Sequence, residues 1–340
     1  MIIKKSLVMG ALLIAAASSR AQDLQADNML LFQRSSGGWF KQLRGKAFNY
    51  NQVFSDADKI QIAKEVEEGL ATIDNEATKK EIRYLVKIYK TVPNPKYLAA
   101  AEDGIRYLLK AQYANGGFPQ YYPDHGLYRN EITYNDNAMI NALNVLQDVA
   151  EQKNGLEVVD PKLAEPAAQA VKKGVICILN TQIKVKGVLT GWCQQYNERT
   201  LEPAKARAYE LPSISGSETV GIIEFLMRQP NPSPAVKTAI TAGVKWLTDV
   251  KIKGAKVAQF DAPGTPKGFD KRVEADPSSD IWARYYEIDT NRPFFSNRDS
   301  KKVYNLSEVD YERRTGYSWY GQWPVKLLNQ EFPAWSAKWN

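Results

Sequence analysis

Apolar residues at Ile82, Leu85, Val86 and Tyr89 recur at the i, i+3, i+4, i+7 spacing of one helix face. The same stripe returns along the chain: Ile62, Ala63, Val66 and Leu70; Leu98, Ala101, Ile105, Leu108 and Leu109; Met139, Ala142, Leu143 and Leu146; Ala168, Val171, Val175, Ile178 and Leu179; Val236, Ile240, Val244 and Leu247. Alternating, strand-like runs are scarce. Pro93 and Pro95, then Pro230, Pro232 and Pro234, break the chain between stripes, where one helix ends and an antiparallel partner begins.

A weak repeat overlies this pattern. "QRSSGGWFK" (33–41), "QYANGGFPQ" (112–120) and "VLTGWCQQY" (188–196) share a glycine–aromatic turn, and each is followed by a loop and an acidic helix start, at Asp74, Asp136 and Glu218. Glycine there serves as a left-handed helix stop and fixes where the loop goes. Three such units predict an all-α dominated fold, an (α/α) toroid-like barrel of about three helical hairpins with its polar loops on one face. After about residue 251 the helical period fades, and an irregular C-terminal segment is expected.

Asp74–Asn75 and Asp136–Asn137 each precede a predicted helix. Asp and Asn are preferred N-caps, because their side-chain oxygens accept free N–H groups of the first turn. Two carboxylates at one rim of a helical scaffold could equally hold a hard cation or work as a catalytic pair.

The first residues change the compartment. Lys4 and Lys5 precede an apolar run from Ser6 to Ala17, and Ser19 and Ala21 suit cleavage after Ala21, so residues 1–21 read as a signal peptide. The expectation is a secreted or periplasmic monomer without a membrane anchor, with residues 22–340 as a single catalytic domain. Removing the leader takes Lys4, Lys5 and Arg20 and no acid, so the formal charge falls from +7 to +4. Cys177 and Cys193 are the only cysteines and His125 the only histidine. A two-histidine zinc site is thereby excluded, and no GxSxG surrounds a serine. The cysteines can pair or lie free and buried; His125 sits in a turn-like loop.

Arginines and aromatics interleave near the C-terminus, among them Arg284, Arg298, Arg313, Arg314, Tyr285, Tyr317 and Trp319. Guanidinium groups bind carboxylates in two-pronged fashion and aromatic faces stack on sugar rings, so the pair suits an anionic, cyclic ligand. A mature charge of only +4 without a nucleic-acid motif argues against nucleic acid as partner. A uronic-acid polymer fits, with a cation at the acidic helix starts and β-elimination as the chemistry. A glycoside hydrolase using Asp74 and Asp136, or a non-catalytic binder of such polymers, fits the same residues.

"LLFQRSSGGWFK", "ATIDNEAT", "NGGFPQYYP", "ITYNDNAM", "TGWCQQYNERTLEPAKARAYELPSISGSE", "ARYYEIDTNRPFFSNRD" and "SEVDYERRTGYSWYG" resemble, in order, the motifs of family 10 polysaccharide lyases, pectate lyases with an (α/α) toroid-like fold. The resemblance spans nearly all of the mature chain. It implies calcium-assisted β-elimination of polygalacturonate with an arginine as Brønsted base, here Arg298 in "SNRDS". It further implies Ca²⁺ at Asp74 and Asp136, and substrate carboxylates at Arg207, Arg284 and Arg313, with Arg314 as a competitor for the last role. Phe40, Glu76, Asn297 and Ser300 depart from the family pattern.

Overall fold

The computed structural model describes residues 22–43, 45–66, 70–123 and 126–339; the expected signal peptide and His125 lie outside them. Helix α1 (Leu24–Phe32) lies outside the sequence stripes; α2 (Asp56–Val66), α3 (Lys79–Tyr89), α4 (Pro95–Ala111), α5 (Ala138–Ala150) and α6 (Ala164–Thr181) fall on them, α7 (Glu218–Met227) begins at the expected acidic start, and α8 (Pro234–Asp249) falls on a stripe again. Helices α3 to α5 and α8 bury most of their striped faces; Ile82, Leu85 and Val86 of α3, for example, are closed to solvent, whereas α2 buries only Ile62. Helix α3 packs on α4, α5 on α6, and α7 on α8. No helix among the described residues is long and apolar enough to cross a membrane.

The repeat is real and built from hydrogen bonds. Gln33, Gln112 and Gln182 end α1, α4 and α6, and each donates its amide to two carbonyls: Gly37 and Ala100, Gly116 and Ala170, Thr190 and Ala239. The indoles of Trp39, Trp192 and Trp282 each donate to a carbonyl of the preceding helix, at Met29, Ile178 and Leu247. After these turns come two-residue strands: β1 (Ala71–Thr72) pairs with β2 (Tyr121–Tyr122), and β3 (Ile132–Thr133) with β6 (Gln195–Tyr196). Strand β7 (Ile214–Ser215) pairs with β10 (Tyr285–Tyr286), and β4 (Lys184–Val185) with β5 (Val188–Leu189). Each loop before a helix is therefore tied to the turn of the next unit.

The expectation of an all-α dominated, toroid-like barrel with an irregular C-terminal segment is corrected. Strands interleave with the helices, and the supposedly irregular stretch forms the longest ones, β8 (Ile252–Asp261) and β9 (Phe269–Ala283), joined antiparallel and extended by β13 (Tyr320–Gly321). Strands β11 (Phe295–Ser296) and β12 (Lys302–Val303) pair beside it, and α9 (Tyr311–Gly316) packs on β9. Two-residue strands carry no detectable period. In the β8–β9 hairpin most residues of both faces reach solvent, so no apolar alternation marks it.

Trp39, Trp192, Tyr285 and Trp319 are core residues rather than sugar platforms, all nearly inaccessible to solvent. Cys177 and Cys193 are free and buried, and burial raises both thiols above their ordinary range. A second buried cluster, including Tyr209, Tyr285, Phe294, Phe295 and Trp319, underlies the arginine-rich segment.

Candidate active site

A pocket of about 150 Å³ opens where the helix-leading loops meet, lined among others by Lys41, Asp74, Gln120, Asp136, Gln195 and Arg207. Both expected aspartates lie in it, by different means. Neither caps a helix: α3 begins after Thr78 and α5 after Asn137, and neither of those makes a side-chain capping bond. Short 3₁₀ turns, Asp74–Glu76 and Asn135–Asn137, precede the helices instead. Asn75, Glu76 and Thr78 in one loop, and Asp136 and Asn137 in the other, take positive φ, which costs non-glycine residues energy and persists only where surroundings enforce it. At Thr78 the enforcement is visible: its hydroxyl donates to Thr72 O at 2.9 Å and accepts from Trp39 N at 3.0 Å.

The loops superpose in pattern one residue out of step with the Asp–Asn pairs. Counted from β1 and β3, Asn75 stands where Asp136 does, and Asp74 where Asn135 does. Asp74 is thus buried and ion-paired with Lys41, whereas the Asp136 side chain is 42% exposed. Burial alone would lower the Lys41 ammonium, but Asp74 outweighs it and the net shift is upward.

Of the expected arginines, Arg207 lines the pocket. Its Nε donates to Glu210 Oε2 at 2.7 Å and its Nη2 to Glu210 Oε1, a two-pronged pair. Burial works against the charged guanidinium, yet Glu210 and the neighbouring Tyr209 and Tyr317 hold it well above its ordinary range. Arg298 is 62% exposed, pairs with Glu312 at 3.1 and 3.3 Å, and lies outside the pocket lining. Arg313, also on Glu312, stacks on Tyr209 at 4.8 Å; Arg207 and Arg298 approach the same ring at 5.0 and 5.7 Å. Three guanidinium groups therefore surround Tyr209. Arg314 points elsewhere, to Asp270 on the β8–β9 hairpin. Arg284 is buried beneath the site, its Nη2 donating to Glu218 at 2.7 Å, Asn135 at 3.1 Å and Asp136 at 3.2 Å, so it holds the Asp136 loop. Burial opposes its charge, but Glu218 above all keeps that charge in place.

Sequence reasoning missed Lys41, Gln120, Gln195 and Glu210, and named Tyr317 only as one of the interleaved aromatics. A signal existed for some: the second residue after each turn aromatic is Lys41, Gln120, Gln194 or Arg284, and Glu210 follows Arg207 by three.

Among the described residues no three His, Cys, Asp or Glu side chains cluster to hold a metal. The pocket nevertheless fits a hard cation in its donor chemistry. Besides Glu210, which is taken up by Arg207, it offers two carboxylates, and the amide oxygens of Gln120 and Gln195 are buried acceptors without a hydrogen-bond partner. Two carboxylates leave coordination for an anionic ligand to complete.

Fold and pocket define a helix-rich protein whose helix-leading loops gather carboxylates, amide oxygens and the Arg207 guanidinium in one cavity. The chain belongs to the pectic acid lyase family, whose model matches residues 33–328. It is similar to a family 10 polysaccharide lyase from Cellvibrio cellulosa, an alanine mutant solved in complex with trigalacturonic acid, at 36% identity and a TM-score of 0.79, covering 91% of this chain and 92% of that one. A second structure of a family 10 lyase from that organism matches at 36% identity and TM-score 0.78, with 91% of each chain covered. Nothing among curated protein sequences matches. The protein is a pectate lyase, which sets aside the hydrolase and the non-catalytic binder.

Proposed function

We propose that the protein cleaves polygalacturonate by β-elimination at the Asp74–Asp136 pocket, as a secreted or periplasmic enzyme freed of residues 1–21. The observation that carries this reading is the shared lining: both aspartates, two unpartnered amide oxygens and Arg207 face one cavity. Asp74, Asp136, Gln120 and Gln195 would hold Ca²⁺. Bound beside a uronate, the ion would withdraw charge from the carboxylate and acidify the proton at C5. Arg313 supplies a further cation for neighbouring carboxylates. An arginine takes the C5 proton, the C–H electron pair becomes the C4–C5 double bond, and the C4 oxygen leaves and is protonated from solvent.

The resemblance of the "SNRDS" motif to the family implies Arg298 as the base. Position supports Arg207, because it borders both aspartates and its Nη1 has no partner among the described residues, while Arg298 stands outside the lining. The paired experiment follows ultraviolet absorbance of the unsaturated product from polygalacturonate, with and without EDTA. Activity should require the free cation, rise on the alkaline side, and fall by about 10²-fold or more in Arg207→Lys. Arg298→Ala should retain more than a tenth of wild-type turnover. The reverse ranking would return the base to Arg298, and activity indifferent to EDTA would remove the metal.

A further inference from the structure

Glu210 is buried, with only 1% of its surface exposed, yet it carries a carboxylate at the back of an open pocket. It spends that charge on one neighbour. Besides the two-pronged side-chain pair, its Oε2 accepts the Arg207 backbone N–H at 3.1 Å. Tyr317 locks the carboxylate in turn, donating its hydroxyl to Glu210 Oε1 at 3.0 Å. The Tyr317 ring lies between guanidinium groups, 5.0 Å from Arg284 and 6.0 Å from Arg207. Its hydroxyl also meets that of Tyr285, whose oxygen lies 2.6 Å from the Gln194 side-chain amide; with the Tyr317 proton on Glu210, Tyr285 donates to Tyr317 and accepts the Gln194 amide N–H. The Gln194 carbonyl accepts the N–H groups of Tyr134 at 2.8 Å and Asn135 at 3.0 Å, at the head of the Asp136 loop.

We propose that Glu210 and Tyr317 are positioning residues that fix the Arg207 guanidinium against the pocket and tie it, through Tyr285 and Gln194, to the loop carrying Asp136. This rests on the reading of Arg207 as the base. With Nε–H and Nη2–H both held by Glu210, the lone pair of the neutral guanidine resides on Nη1, the nitrogen left for the substrate. The C5 proton then passes to Nη1 while both bonds to Glu210 persist. A carboxylate on the far edge also makes the neutral guanidine a stronger base. Around Arg207 the other charged or titratable groups include Lys41, Tyr209, Arg298, Arg313 and Tyr317, with Asp74 and Asp136 across the pocket; Asp74 is paired with Lys41 and Asp136 with Arg284, so Glu210 is the carboxylate that takes the Arg207 guanidinium.

The test is a double-mutant cycle, kcat and KM being measured on polygalacturonate with calcium present. Glu210→Gln should lower kcat by about 10- to 100-fold, the scale of a misplaced reacting group, and change KM less than about threefold. On the residual rate of Arg207→Lys, Glu210→Gln should cost less than about threefold more, because the group it positions is gone. A purely structural role would cut both backgrounds equally, and that result overturns the proposal. Calorimetric stoichiometry with trigalacturonate confirms that each variant is folded. Should Glu210→Gln fail that check, Tyr317→Phe carries the test, expected to lose about 3- to 10-fold in kcat in the wild-type background only; wild-type kcat there overturns the proposal. Wild-type turnover by Arg207→Lys would overturn the underlying reading instead. An inactive Arg207→Lys beside a fully active Glu210→Gln would overturn positioning alone.

Discussion

Residue chemistry at the site is a matter of which charges are shielded and which are offered. Arg284 and Glu218 are buried together, so neither is free to serve solvent or substrate, and their pairing holds the Asp136 loop from below. Breaking a buried pair leaves the remaining charge without compensation, at about 3–5 kcal/mol. Glu218→Ala should therefore lower stability by that amount in denaturant titrations. Asp136→Ala should shift stability by less than about 1 kcal/mol, because Arg284 keeps Glu218 and the lost side chain is 42% exposed. Equal losses in the two variants would mean that Arg284 depends on Asp136 as much as on Glu218.

At the scale of elements, a repeated turn does the positioning. Gly116 ends the α4 turn with φ of +91°, and a Cβ there would lie 2.0 Å from the Lys173 carbonyl oxygen of α6. Gly187, between β4 and β5, has φ of +82° and nothing within 4 Å of the same point. Backbone strain alone costs about 1–3 kcal/mol at either position. Gly116→Ala should add a steric term and exceed Gly187→Ala by at least about 2 kcal/mol in thermal or urea unfolding. Similar costs would show that α6 yields easily to the turn. The turn is also where sequence and structure agree best. Gly–Gly–aromatic after a helical stripe is a local signal, and the glutamines and indoles bond within reach of that turn.

Across the whole molecule, the β8–β9 hairpin braces the arginine segment. Arg314 grips Asp270 with two bonds of 2.7 Å, and Tyr311 donates to the Phe269 carbonyl at 2.8 Å, so α9, which carries Arg313, leans on the hairpin. Replacing residues 258–272 by a tight turn should raise KM roughly tenfold, equivalent to about 1.4 kcal/mol of substrate binding. The thermal midpoint should move by less than about 4 °C, because the helical core is untouched. An unchanged KM would show that α9 keeps its place unaided.

The sequence by itself determined most of the helices, the repeated turns, the family and the motifs in which Asp74 and Asp136 stand, because a helical stripe, a glycine stop and a contiguous motif each report on neighbours within a few residues. Tertiary structure alone decided what those residues do together. It set Asp74 and Asp136 one step apart in equivalent loops, one paired and buried, the other half open to the pocket. Sinking Arg284 under Glu218 while leaving Arg207 at the pocket was likewise its work, as was turning Arg314 away from Tyr209 and leaving Arg313 over it. Such contacts join residues tens to more than a hundred positions apart. Their partners are chosen by how helices and strands pack and which charges can be compensated there, and no local periodicity encodes that choice.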